Sequence, residues 1–280
     1  MAKALKDTLK TIEHYKSMSP HYGELLDILE EILILREEYS RKMSKDIFNV
    51  DESLVETKLA GGFPIIDLSR IDFDLSEPKD YFINLLDIAK KRTPEEAREI
   101  IDRLDTGNLD FAELVRTNFA SDETDMEEES GDESDVHIFD LLGFLIEESL
   151  RPYLESVSGR YAGAIARAHW SEGYCPVCGR EPKIGQLKDE EGRRFLFCNQ
   201  CGLKWNFNRI KCPFCGNEDQ QTLAYFSIEG EEKYRVDVCN KCNRYVKTVD
   251  FRELKEEPNL DVEDIATLHL DILADEEGYE

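Results

Sequence analysis

Cys175-Pro176-Val177-Cys178, Cys198-Asn199-Gln200-Cys201, Cys212-Pro213-Phe214-Cys215 and Cys239-Asn240-Lys241-Cys242 contain every cysteine of this 280-residue chain. Two thiolates three positions apart on a tight turn can grip one metal ion. Two such turns supply the tetrahedral four-sulfur set favoured by zinc or rubredoxin-type iron. The gaps between successive pairs are 19, 10 and 23 residues. Each long gap accommodates a β-hairpin and the short one serves as a connector, so the spacing predicts two sequential sites. The first is Cys175, Cys178, Cys198 and Cys201; the second is Cys212, Cys215, Cys239 and Cys242.

The residues between the pairs support the hairpins. Lys183–Lys188 and Arg193–Phe197 flank Asp189-Glu190-Glu191-Gly192, and Thr222–Ile228 and Lys233–Val238 flank Glu229-Gly230-Glu231-Glu232. In the last run Tyr234, Val236 and Val238 alternate with charged residues, the period of a half-buried strand. Pro176 and Pro213 pre-set the turns, while Gly179 and Gly216 stand where positive φ is expected, so that backbone N–H groups point at sulfur. Three rivals fit less well. Structural disulfides suit an exported protein, and a redox role for Cys212-Pro213-Phe214-Cys215 needs a helix after the pair, where the sequence has Gly216-Asn217 and then a strand. An interleaved cross-brace, with the first and third pairs sharing a metal, stays as the alternative arrangement. Modules of about 40 residues rarely fold without a staple, so each is expected to need its metal.

Outward from this region the chain changes character. Trp170–Arg252 carries 14 basic and 12 acidic residues, whereas the remainder carries 21 against 49, so the acidity lies outside the cysteine region. A field of that sign repels phosphate backbones and can attract a basic segment. The start, Met1-Ala2-Lys3-Ala4-Leu5-Lys6-Asp7, lacks the apolar stretch of a secretory signal, and no window is apolar enough to cross a bilayer. A cytoplasmic protein without membrane insertion is expected.

The first 169 residues read as helical. Leu25, Leu26, Ile28, Leu29, Ile32, Leu33, Leu35 and Tyr39 recur at helical spacing between Tyr22 and Phe48. A break at Gly61-Gly62-Phe63-Pro64 precedes Ile65-Ile66-Asp67-Leu68, a short extended piece. Helices are expected from Pro78 to Lys91, from a capping box at Thr93-Pro94-Glu95-Glu96 to Leu104, and from Leu109 to Phe119. Ser121–Asp135 has nine acids in fifteen residues and reads as a flexible acidic insertion. The helical pattern resumes from Val136 to Leu150, and Pro152 is expected to start another helix reaching His169.

The fold class expected is α+β: a helical domain (1–169), a first four-Cys module (170–210), a second (211–252), and a C-terminal helix with an acidic tail (253–280). Nothing proposes turnover, since there is no Glu-x-x-His pair, P-loop or Gly-x-Ser-x-Gly. His14, His21, His137 and His269 read as surface or core residues; His169 precedes the first turn and could donate a hydrogen bond to that site, although four thiolates already complete it. Trp205, Phe207, Arg209 and Lys211 form an aromatic and basic strip whose simplest use is packing between modules; stacking on single-stranded bases is the rival.

The combination Trp170-x-x-Gly173-x-Cys175-Pro176-x-Cys178-Gly179-x-x-Pro182, Gly192-x-Arg194-Phe195-Leu196-x-Cys198-x-x-Cys201-x-x-x-Trp205-x-x-x-Arg209-x-x-Cys212-x-x-Cys215-Gly216 resembles the formate dehydrogenase accessory proteins of the FdhE type. The resemblance continues through Cys239-x-x-Cys242-x-x-Tyr245-x-Lys247 and Val262-Glu263-Asp264-Ile265-Ala266-Thr267-Leu268-x-Leu270-Asp271, covering 170–275 well. The helical half shares only its character and the Gly62-Phe63-Pro64 break. The resemblance implies a cytoplasmic assembly factor, not an enzyme, that binds the catalytic subunit of formate dehydrogenase and carries two metal ions, rubredoxin-like iron or zinc. A nucleic-acid-binding zinc ribbon and a rubredoxin-like electron carrier are the alternatives; no nucleic-acid partner is expected.

Overall fold

The computed structural model describes residues 3–43, 47–70, 73–119, 133–252 and 259–280. The helical half comprises α1 (Lys3–Met18), α2 (Gly23–Lys42), α3 (Glu52–Ala60), α4 (Ser76–Ala89), α5 (Pro94–Asp105), α6 (Phe111–Phe119) and α7 (Glu133–Arg167). α1 and α3 have no counterpart among the expected elements. α1 nonetheless buries Leu5 and Ile12, two turns apart, against Leu26, Leu29 and Leu33 of α2. Asp51 caps α3 by accepting from the Ser53 N–H at 3.0 Å.

α2 stops before Phe48, because Met43 turns extended while its N–H still reaches the Tyr39 carbonyl. α4 supplies the heart of the core, with Tyr81, Phe82, Leu85 and Leu86 fully buried. Thr93 does not close the capping box expected at α5: its hydroxyl donates to the Ala89 carbonyl, and Pro94 alone sets the first turn.

The expected helix start at Pro152 is corrected: α7 runs unbroken from Glu133 to Arg167 with Pro152 inside it. Proline leaves the Glu148 carbonyl without its helical donor and costs about 3 kcal/mol. Leu150, Tyr153, Leu154 and Val157 around it are all buried, and burial at roughly 1.5–3 kcal/mol per large apolar side chain outweighs that cost. The acidic stretch 121–135 lies outside the described residues except for its last three positions, which open α7.

The strands are β1 (Ile184–Lys188), β2 (Arg193–Phe197), β3 (Lys204–Phe207), β4 (Leu223–Phe226), β5 (Tyr234–Cys239) and β6 (Arg244–Asp250). β1-β2-β3 and β4-β5-β6 are two antiparallel meanders, each with one cysteine pair before its first strand and another after its second. They merge into one six-stranded sheet, ordered β3-β2-β1-β6-β5-β4, through a parallel pairing in which Ile184 faces Lys247 and Leu187 faces Asp250. The expected C-terminal helix is two, α8 (Leu260–Ala266) and α9 (Leu268–Glu276), bent at Thr267, whose hydroxyl donates to the Glu263 carbonyl at 2.7 Å.

The main hydrophobic core passes from α4 and α7 into the first meander without a boundary, taking in Trp170, Leu196 and Trp205. The second meander adds Val246 to this core and builds a smaller cluster of its own, with Val236 and Val238 against Leu270 and Ala274 of α9.

Candidate metal centres

All four cysteine pairs sit on one kind of turn. The Gly179 N–H donates to the Cys175 carbonyl (2.9 Å) and the Cys175 N–H to the Arg180 carbonyl (2.9 Å). Gly202 with Cys198 and Gly216 with Cys212 repeat the first bond at 2.8 and 3.1 Å. In the fourth turn Asn243 takes the glycine's place, donating to the Cys239 carbonyl at 2.8 Å. These four residues have φ of 75°, 68°, 69° and 56°, and asparagine tolerates that region best after glycine. Gly179 and Gly216 are where positive φ is expected; Gly202 and Asn243 could have been found by the same offset, one residue after the second cysteine.

The turns bring Cys175, Cys178, Cys198 and Cys201 into one group and Cys212, Cys215, Cys239 and Cys242 into another, with the sulfurs of each group within 4.8 Å of one another. Cys175 Sγ lies 3.4 Å from Cys201 Sγ, and Cys178 Sγ 3.5 Å from Cys198 Sγ. In the second group Cys212 to Cys242 and Cys215 to Cys239 are both 3.7 Å. A disulfide needs about 2.05 Å, whereas four sulfurs ~2.3 Å from a central zinc stand about 3.8 Å apart. Each group could therefore hold one metal ion.

Electrostatics agree with a cation at the centre. Burial pushes the Cys175 and Cys201 thiols well up, and hydrogen bonds among the thiols add to this. Burial also opposes ionisation of Cys198, but hydrogen bonds from Cys175, Cys178 and Cys201 hold it well below the ordinary thiol range. Such a cluster gives up several protons only when a positive charge replaces them. At the second site burial is again the largest influence on Cys239, yet backbone N–H groups of Lys241 and Cys242 and the Asn217 amide bring it down to about 7. The Asn217 amide donates to Cys239 Sγ at 3.6 Å and to Thr222 Oγ1 at 2.7 Å.

The two sites differ in setting. All four cysteines of the first are buried, and the helical half reaches directly onto its turn: the Ile65 and Ile66 N–H groups donate to the Pro176 and Val177 carbonyls at 3.0 and 2.8 Å. Tyr174 Oη donates to the Gly62 carbonyl at 2.6 Å. At the second site Cys215 is exposed and Cys242 half-buried. Gly173 joins the two, since a Cβ there would lie 1.8 Å from the Pro213 carbonyl oxygen and 2.6 Å from its Cα. Gly173→Ala is therefore expected to drive the two turns apart at a cost of about 2–3 kcal/mol, checked by urea denaturation and metal content.

Of the remaining candidates, Trp205 and Phe207 are buried and offer no stacking surface. His14, His21 and His169 are exposed, and His269 pairs with Glu231 at 2.8 Å; the side chain of His137 lies outside those described. The residues that sequence reasoning missed hold the C-terminal helices to the sheet. Lys247 Nζ, almost fully buried, meets Asp264 and Asp271 at 2.6 Å each. Lys233 Nζ meets buried Glu263 at 2.9 Å, and Tyr15 and Tyr234 both donate to Glu263 at 2.7 Å. Among the described residues no helix is long and apolar enough to cross a membrane.

A helical domain sharing its core with the first of two four-cysteine meanders defines a class of double metal-module proteins. Family models described as the FdhE central domain and the FdhE C-terminal domain match residues 174–209 and 210–280. "Protein FdhE homolog" of Aquifex aeolicus is 29% identical over 97% of this chain and 90% of its own length. "Protein FdhE" of Salmonella arizonae is 34% identical over 41% of this chain, although that match spans only 38% of the relative. The crystal structure of the FdhE protein from Pseudomonas aeruginosa shares the fold, with a TM-score of 0.67 over 97% of this chain and 90% of that one at 19% identity. Residues 174–280 thus match the FdhE family models, and the whole chain is similar to FdhE-type proteins in sequence and fold.

Proposed function

We propose that this chain is a cytoplasmic, non-enzymatic assembly factor that binds the catalytic subunit of formate dehydrogenase and supports its maturation. The observation that carries the reading is the FdhE-type match across both cysteine meanders, extended to the helical half by the Aquifex relative. Cys175, Cys178, Cys198 and Cys201 hold one metal and Cys212, Cys215, Cys239 and Cys242 the other, each zinc or rubredoxin-type iron. A bound metal would cross-link the two turns of each site; the chain supplies backbone N–H groups that steady the thiolates and a core that fixes the first site against the helices. We place the functional units at 1–169, 170–210, 211–252 and 253–280.

Two measurements test this. The tagged chain is expected to co-purify with a formate dehydrogenase subunit, and deleting its gene to abolish formate oxidation. If no subunit is retained and activity survives deletion, the reading fails. Elemental analysis with a visible spectrum is expected to give two metals per chain, coloured if iron and colourless if zinc.

A further inference from the structure

A cavity of about 300 Å³ lies between the two meanders, bounded by the second cysteine site and by Arg194, Arg209, Lys211, Arg235 and Arg244. Among the described residues, Asp237 is the only acid on its wall. Arg235 pairs with that carboxylate at 3.0 Å, the Thr248 hydroxyl donates to it at 2.6 Å, and Arg194 stands 3.8 Å away, too far for a hydrogen bond. One carboxylate thus serves two guanidinium groups. Arg194 is only 4% exposed, yet its Nε has no partner, and neither has the buried Nε of Arg235. Those two Nε atoms are sealed from the cavity, and Arg194 Nη1 already donates to the Lys211 carbonyl at 3.3 Å, so an anion entering the cavity meets only the remaining guanidinium edges.

The metal centre alone does not account for these charges. Arg244 is committed to Glu181 in a two-pronged pair at 2.6 and 3.0 Å. Four thiolates around a divalent ion leave two negative charges. Set with Asp237 and Glu181 against the five cations, they leave one positive charge unmatched. Aromatic and apolar side chains share this lining with the cations: the Arg244 guanidinium lies 3.7 Å from the Phe214 ring centre, Arg235 lies 4.9 Å from that of Tyr225, and Leu223 is also on the lining. Gly192, at φ 65°, leaves room for Arg209, whose Nη1 a Cβ there would approach to 2.9 Å.

We infer that this cavity binds a small organic oxyanion, its phosphate or carboxylate group held by Arg194 and Arg235 with Arg209 at the mouth, and its apolar body against Phe214 and Tyr225. The planar guanidinium fork matches such groups. The inference rests on the metal-site reading only for its charge balance.

The test is calorimetric titration of the full metal-loaded chain with phenyl phosphate, benzoate and inorganic phosphate. Phenyl phosphate or benzoate is expected to bind saturably and about tenfold tighter than inorganic phosphate; whichever binds tighter identifies the group. Arg209→Glu, at an exposed turn, and Arg194→Gln are each expected to weaken binding at least tenfold. No saturation by any probe below ~10 mM, or undiminished binding in both variants, overturns the inference, and equal affinity for organic and inorganic probes overturns its apolar half. Metal content is measured in every sample. Fewer than two metals per chain counts against the metal-site reading, whereas two metals without binding counts against this inference alone.

Discussion

Chelation is expected to remove the two metals in separate phases, with Cys212, Cys215, Cys239 and Cys242 emptied first, and Cys198→Ser is expected to unfold far more of the molecule than Cys215→Ser. The reason is burial. The first group lies within the same hydrophobic cluster as Leu145, Leu150 and Leu154 of α7, so a chelator reaches it only after the helical core opens. The second is accessible through Cys215. Losing the first metal leaves four buried thiols inside the main core and releases the turn that Ile65 and Ile66 hold. Structural zinc sites contribute on the order of 10 kcal/mol to small domains, comparable with the ~5–15 kcal/mol by which whole proteins are stable. Cys198→Ser should therefore lose helical circular dichroism as well as metal. Cys215→Ser should release one metal equivalent while the helical signal persists. A single phase for both metals, or equal damage by the two variants, would show that the sites share one setting.

Much of this was legible in the sequence, for definite reasons. The pairing of cysteines follows from local spacing, and both hairpins follow from period-2 runs with turn residues between them. These are short-range signals. What was missed is long-range. Nothing local marks Ile184 as the parallel neighbour of Lys247, 63 positions on. Nothing local marks Glu263 as the acceptor for Tyr15, Lys233 and Tyr234. Pro152 shows the opposite failure, a strong local signal overridden by the packing of the residues on either side of it. The quoted tail Val262–Asp271 carried its meaning in charges, Glu263, Asp264 and Asp271, whose cations are Lys233, just before β5, and Lys247 on β6.

Arg36→Met is expected to cost about 3–5 kcal/mol, roughly a 10 °C fall in Tm for a chain of this size. Arg36 on α2 grips Glu148 on α7 with two bonds of 2.8 and 2.7 Å, and both residues are more than nine-tenths buried. Tyr81 of α4 donates to the same carboxylate at 2.9 Å. Arg151, one turn along α7, binds Asp261 of α8 at 2.6 Å and Glu155 at 3.0 Å. Two guanidiniums thus stand among three carboxylates, and removing Arg36 leaves buried negative charge in excess. Arg36→Met combined with Glu148→Leu is expected to recover much of the loss, because replacing a buried pair by apolar side chains removes both desolvation costs. The same cluster predicts acid sensitivity. Burial alone would raise the Asp261 carboxyl, but the Arg151 and Arg36 charges overcome it and hold the group below its ordinary 3.8. A depressed carboxyl stabilises the fold above its unfolded value and loses that contribution as pH falls through the lower folded one. Stability should therefore decline below about pH 4, and Asp261→Asn should flatten that limb while lowering stability at neutral pH. Urea midpoints across pH 3–7 check both, and an Arg36→Met variant within about 1 kcal/mol of the parent would reduce the cluster to the level of an exposed ion pair. Because α8 also carries Glu263 to Lys233 and Asp264 to Lys247, loosening it at Asp261 is expected to loosen the second meander as well.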